Sequence, residues 1–174
     1  KGMNPCIDCR ILSFRLARAF MEEIGASFLV TGEVVGQRPM SQREDAIRII
    51  DRDSGCAGLV LRPLSAKLLP PTLPEIEGWV DRERLHAIYG RTRVEQMRLA
   101  REWEIGEYPG SGGGCLLTDR TFSVKVRDLV ENDPGFRLFD AHLLKFGRHF
   151  RVGAVKAVVA KSAEETGGWR NSAG

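Results

Sequence analysis

The chain has 174 residues, 43% of them hydrophobic and 28% charged, with a net charge of +3. That length supports one sizeable core, or one core with a small appended module, and the weak positive charge admits a nucleic-acid partner without requiring one. No apolar run approaches the ~20 residues of a membrane helix and no signal-peptide core opens the chain, so the expectation is a cytoplasmic protein with no membrane partner. The first residue is not Met, and an element begins almost at once, as in a piece of a longer chain.

Asn4 and Pro5 read as a helix cap and first helical residue, for a helix reaching about residue 24. Leu16, Ala17, Phe20, Met21 and Ile24 form its expected apolar stripe, and Gly25 stops it. Cys6 and Cys9 then lie three apart on one face of the first turns, where the helix dipole favours thiolates. Such a C-x-x-C pair points to metal or redox chemistry; the plain structural alternative is two small apolar residues at a helix start. Residues 28–30 are a short apolar run suited to a buried strand. Gly32 and Gly36 follow in a loop that can turn sharply and approach a ligand. Ser41 and Glu44 have capping-box spacing, which starts the next helix at about residue 42 and ends it near 53. A strand, loop and helix start in this order present backbone N–H groups to an anion.

Residues 54–58 are a turn in which Cys56 is a bystander, and residues 59–61 are a second short strand. Arg62 leaves that strand where open α/β sheets bind ligands, although an ordinary surface Arg fits the position too. Residues 64–78, with Pro70, Pro71 and Pro74, form a connection that excludes a helix interior or central strand. Two helices are expected next, one capped by Asp81 and ending at Gly90, one opened by Thr92 and Glu95 and ending at Gly106. Arg82, Arg84, Arg91, Arg93, Arg98 and Arg101 make this pair basic, either as a solvated face or as an RNA-facing surface.

The Gly-rich stretch 109–114 is read as a flexible loop delivering Cys115 to a site, rather than a bare linker. Asp119 caps a last helix carrying Phe122, Val126, Leu129 and Val130. A turn signal at 132–135 precedes a strand pattern from Phe136, with a hairpin over 144–160 turning at Gly153 and frayed residues from 162. Residues 135–174 hold seven Lys or Arg against three Asp or Glu, and Arg148, His149 and Arg151 alternate with Phe146 and Phe150, a pattern suited to RNA contacts or to a half-buried basic hairpin. His86, His142 and His149 are scattered and receive no catalytic role.

Cys6, Cys9 and Cys115 allow two chemistries. One is persulfide transfer, in which a second thiol releases sulfur by forming a disulfide. The other is a three-cysteine [4Fe–4S] cluster, so the same three residues are the candidate metal ligands. Zinc is less suited, since no His stands at ligand spacing.

The stretch Val30-Thr-Gly-Glu-Val-Val-Gly-Gln-Arg-Pro-Met-Ser-Gln42, followed by Leu61-Arg-Pro-Leu64, resembles the second half of the PP-loop ATPase domain of tRNA thiouridine synthetases. Asn4-Pro-Cys6 is similar to the opening of the sulfur-transfer region of bacterial tRNA 2-thiouridylases. The resemblance covers about residues 3–131 and is specific at 31–42. It implies an α/β fold, the C-terminal half of a parallel-sheet PP-loop (HUP-type) domain over 1–132, followed by a partial basic β module at 135–174. That module resembles the start of an NFACT-type RNA-binding unit. The implied activity is adenylation of a tRNA uridine with ATP and Mg²⁺, then sulfur transfer. Gly32, Glu33, Gly36, Gln37, Ser41, Gln42 and Arg62 would line the nucleotide or uridine site. Cys6, Cys9 and Cys115 would handle sulfur, and Arg91, Arg93, Arg148 and Arg151 would meet RNA. The implied partners are a tRNA and a sulfur donor, and a homodimer is allowed. The family's Ser-Gly-Gly-x-Asp-Ser phosphate loop is absent from the residues here, either truncated or lost. Another PP-loop adenylating ligase or amidotransferase, or a non-catalytic RNA-binding protein on the same fold, are the alternatives.

Overall fold

Alternating short apolar runs and amphipathic segments build a mixed α/β chain. The computed structural model describes residues 3, 5–108 and 115–162. The expected cap Asn4, the glycine loop at 109–114 and most of the frayed tail lie outside them. The chain divides into two compact units, Pro5–Gly110 and a second made of Lys1–Asn4 with Ser111–Gly174. The sequence reading grouped residues up to 132 with the first unit.

In the first unit, α1 (Cys6–Glu23) starts after Pro5, as its sequence suggests. Its buried face differs from the expected stripe. Phe14 and Met21 are buried, with Ile7 and Ile11 packed nearby, while Leu16, Phe20 and Ile24 are 64%, 59% and 58% exposed. The face is chosen by what it packs on, namely β1 (Leu29–Val30) and α2 (Glu44–Asp53). Phe14 joins Ile50, Cys56 and Val60 in a core that also receives Leu29. β2 (Val60–Leu61) pairs in parallel with β1, Leu29 opposite Val60 and Val30 opposite Leu61. Among the described residues the parallel sheet has these two strands. β1 is not the buried strand that its composition suggests, since Val30 is largely exposed.

The capping box expected at Ser41 does not form. Gly36 N–H donates to the Gln42 carbonyl at 2.6 Å, and Gln42 N–H donates to the Arg38 carbonyl at 3.0 Å. This holds Ser41 and Gln42 buried in the loop, so α2 begins at Glu44 with Arg43 as cap. The proline-rich connection contains a 3₁₀ turn, Ala66–Leu68, and a four-residue helix, α3 (Leu73–Ile76). Pro74 is tolerated in its first turn, where no intrahelical N–H bond is lost. The Glu75 carboxylate accepts from the Thr72 N–H at 2.7 Å and from its hydroxyl at 2.5 Å.

The helix expected over 81–90 is a single 3₁₀ turn, Arg82–Arg84, capped by Asp81. Tertiary pairing overrides the local pattern beyond it. The N–H groups of His86 and Ile88 donate to the carbonyls of Pro63 and Leu64, and Tyr89 bridges Val35 in parallel. Ile88 thereby enters a second small core with Val34, Leu99 and Leu64. Leu99 comes from α4 (Val94–Glu102), which starts two residues after Thr92 with no side-chain cap.

In the second unit, Asp119 caps α5 (Arg120–Asn132) as expected, accepting from Phe122 N–H at 2.7 Å. Where strands were expected from Phe136, a short helix forms instead, α6 (Leu138–Leu143). There the Asp140 carboxylate accepts from Arg137 N–H at 2.8 Å. The antiparallel hairpin then follows as β3 (Arg148–Val152) and β4 (Val155–Val159), Arg148 opposite Val159. α5 holds this hairpin by charge. Asp128 takes Arg151 at 2.7 Å and Lys156 at 2.5 Å, and Arg151 also reaches Asp133 at 2.7 Å. Among the described residues of this unit, Leu129 and Leu144 are the buried apolar ones. No helix among the described residues is long and apolar enough to cross a membrane.

Candidate functional site

The loop after β1 and the loop after β2 leave from the carboxyl ends of parallel strands, the edge where such sheets commonly bind ligands. Glu33 is 4% exposed and Arg62 is 3% exposed. Arg62 Nε donates to Glu33 at 3.0 Å, while its two terminal nitrogens grip Asp51 at 2.9 and 2.7 Å. Arg10 closes the group with an ion pair to the other Glu33 oxygen at 2.7 Å. Both guanidinium groups lie over the Phe14 ring, at 4.8 and 5.8 Å from its centre, within cation–π range. Burial works against the charge on Arg62, but Asp51 and then Glu33 outweigh it and raise its pKa. Two positive and two negative groups thus compensate each other inside the unit.

This arrangement ties the thiols to the loop. Arg10 follows Cys9 directly, so the Arg10–Glu33 pair fastens the first turns of α1 beside the start of the loop. Cys9 is exposed and Cys6 partly so, three residues apart. Cys115 is exposed and belongs to the other unit, just before a 3₁₀ turn, Leu116–Thr118. Cys56, the fourth, is fully buried against the Phe14 carbonyl.

The remaining loop residues divide by exposure. Gly32 is open, with no atom within 4 Å of where a Cβ would stand. Gly36 has φ +79, a backbone conformation that favours glycine, and a Cβ there would lie 3.0 Å from the Tyr89 ring. Gln37 N–H closes a turn onto the Val34 carbonyl. Ser41 and Gln42 are buried, and the Gln42 amide oxygen has no hydrogen-bond partner among the described residues. Of the residues read as RNA-facing, Arg91 and Arg148 are exposed and Arg93 is half-buried, whereas Arg151 is held by Asp128 and Asp133.

The groups implied by the resemblance fit unevenly. The open Gly32 backbone and the unpartnered Gln42 oxygen suit a nucleoside. The loop's buried carboxylate, Glu33, and its neighbour Asp51 are already neutralised by arginines, so they offer Mg²⁺ no free ligand. Two of the three thiols proposed for a cluster stand together on α1. Among the described residues no three His, Cys, Asp or Glu side chains gather closely enough to hold a metal ion.

Arg10, Phe14 and Asp51 were missed by sequence reasoning. The position of Arg10 beside the C-x-x-C pair was the one available signal; the inward turn of Asp51 from a charged helix had none. Comparison with protein-family models, curated proteins and solved structures gave no match.

Proposed function

We propose that this chain is the thiol-bearing part of an ATP-dependent tRNA uridine thiolation enzyme of PP-loop type. The observation that carries the reading is the Arg10–Glu33 pair, which joins the accessible Cys6–Cys9 pair to the glycine-containing loop at the strand ends. ATP, bound with Mg²⁺ by a phosphate loop outside the residues here, would supply the activation of the uridine carbonyl oxygen as an adenylate. The loop from Gly32 to Gln42 holds the nucleoside side of that site, and α1 presents sulfur to it.

In the persulfide route, a sulfur donor of persulfide class loads one thiolate of the pair. The terminal sulfur attacks the activated uridine carbon and AMP leaves. The second thiolate then attacks the inner sulfur, forming a Cys6–Cys9 disulfide and releasing thiouridine. The thiol pair is oxidised by two electrons and the sulfane sulfur is reduced to the level of the product. In the cluster route, exogenous sulfur carried on an open iron would instead be delivered without oxidising the pair.

The test uses the chain together with the phosphate-loop part that the reading requires, with ATP, Mg²⁺, an unmodified tRNA transcript and a radiolabelled persulfide donor. Thiouridine formation that is lost in Cys6→Ser or Cys9→Ser, with tRNA affinity retained, supports the enzyme. Binding of tRNA without thiouridine formation, or formation indifferent to both substitutions, overturns it in favour of a non-catalytic RNA-binding protein. Anaerobic purification separates the routes: a brown protein whose thiols resist alkylation supports the cluster, and a colourless one with free thiols supports the persulfide.

A further inference from the structure

Tyr89 has no part in the site described so far, yet it is 67% exposed and rigidly mounted on the loop. Three segments are stitched together beneath it. Val35 N–H donates to the Ser65 hydroxyl oxygen at 3.0 Å, and the Ser65 hydroxyl donates to the Ile88 carbonyl at 2.7 Å. Gly90 N–H donates to the Val35 carbonyl at 2.8 Å. Ser65 and Val35 are fully buried, so these bonds are shielded from water. One part of the Tyr89 ring lies against Gly36, where an added Cβ would stand 3.0 Å from it. Tyr89 also lines a cavity of about 440 Å³ with His86, Ala87, Ile88, Thr92 and Glu95. That volume falls within the range of small-molecule sites. The His86 and Tyr89 rings make the wall partly aromatic, and His86 is itself backed by Trp103 at 6.3 Å. Arg38 and Arg91, each two residues along the chain from the Gly36–Tyr89 contact, are exposed.

An exposed aromatic ring on a fixed backbone, beside a cavity with polar groups and flanked by arginines, is how proteins hold an unpaired base and its phosphates. We propose that Tyr89 is a stacking platform for a nucleobase delivered to the loop after β1. The inference rests on the reading of that loop as a nucleotide site, and it adds a residue that no motif marks. A ring on a fixed backbone costs less further ordering when a base stacks on it than one on a mobile loop. Either an unpaired uridine of RNA or the adenine of ATP has the required π-face, and Thr92 and Glu95 offer hydrogen-bonding groups beside it.

The experiment measures binding, not turnover, with two probes: a short single-stranded oligouridylate, and ATP. The wild-type chain is compared with Tyr89→Ala and Tyr89→Phe. The ring's exposure makes both substitutions compatible with the fold, and an unchanged thermal midpoint verifies this. Loss of about tenfold or more in oligouridylate affinity in Tyr89→Ala, with retention in Tyr89→Phe, supports stacking and assigns the RNA base. The same loss confined to ATP supports stacking and assigns adenine. The slope of affinity against salt stays unchanged in Tyr89→Ala, because no charge is removed. Equal affinities of Tyr89→Ala and wild type for both probes, or no wild-type binding of either, overturn the proposal. Tyr89-dependent binding without any thiouridine formation leaves the platform standing and sinks only the sulfur-transfer reading.

Discussion

Glu33 illustrates how a residue chosen for a ligand site can be committed to the interior. Its carboxylate compensates two guanidinium groups, and one of them, Arg62, is 3% exposed. Removing Glu33 leaves Arg62 its two bonds to Asp51 but strips its Nε of a partner, and a buried donor left unsatisfied costs about 1–3 kcal/mol. Glu33→Ala is therefore expected to destabilise the first unit by about that amount, read as a lower urea midpoint with an unchanged slope. Adding Arg62→Met recovers none of the loss, because Asp51 then loses its partner as well. If Glu33 instead served a ligand alone, Glu33→Ala would leave the midpoint where it was. Arg62 was legible as a residue leaving a strand. Its inward orientation was not, because its partners Glu33 and Asp51 come from a loop and a helix 29 and 11 residues away. Charge partners across a core leave no local pattern.

At the scale of elements, boundaries set by pairing between distant segments were the least legible. The hairpin and the cap at Asp119 depend on neighbouring residues and were read correctly. Ser41 and Thr92 had capping-box spacing, but loop bonds and the Tyr89 bridge moved both helix starts downstream. α1 was legible as a helix, while its buried face was settled by α2 and β1. Its first turn carries a mechanical consequence. Side chains three apart on a helix have Cβ atoms about 5–6 Å apart, whereas a disulfide needs about 3.5–4.5 Å. Forming a Cys6–Cys9 bond thus requires the start of α1 to loosen, including the Cys9 N–H bond to the Pro5 carbonyl at 2.8 Å. Oxidised protein is expected to exchange the amides of the first two turns faster than reduced protein, with residues from Phe14 onward unchanged. Equal protection in both states would mean that the pair closes without disturbing the helix or does not close at all. Alkylation of the thiols distinguishes those two cases.

Across the whole molecule, the two compact units have different chemistry in their interiors. The first relies on two apolar clusters and a compensated ion group. The second has few buried apolar residues among those described, and depends more on the charges around Asp128 and on half-buried His149. Lys125 and Asp128 explain why α5 groups with the hairpin: they reach the Leu144 carbonyl and the Arg151 and Lys156 side chains. That grouping could not be read from a turn signal at residues 132–135. The pH response should follow the same division. His149 has its pKa lowered from 6.5 by burial first, with Lys125 and Lys156 adding to the shift against the opposing Phe146 and Leu143 carbonyls. A histidine held neutral contributes stability in full above 6.5 and loses it as pH falls through its lower folded pKa, because the unfolded chain takes up the proton first. Asp128 is held well below its usual 3.8 by Arg151 and then Lys156, so its contribution persists to lower pH and is lost as pH falls through that depressed value. Hydrogen exchange of β3 and β4 should therefore accelerate in two steps on acidification, one beginning near 6.5 and one below 3.8, beyond the intrinsic change in exchange rate. His149→Phe should abolish the first step and Asp128→Asn the second, while α2 of the first unit lacks the first. A single step, or one unaffected by His149→Phe, would locate the acid sensitivity elsewhere.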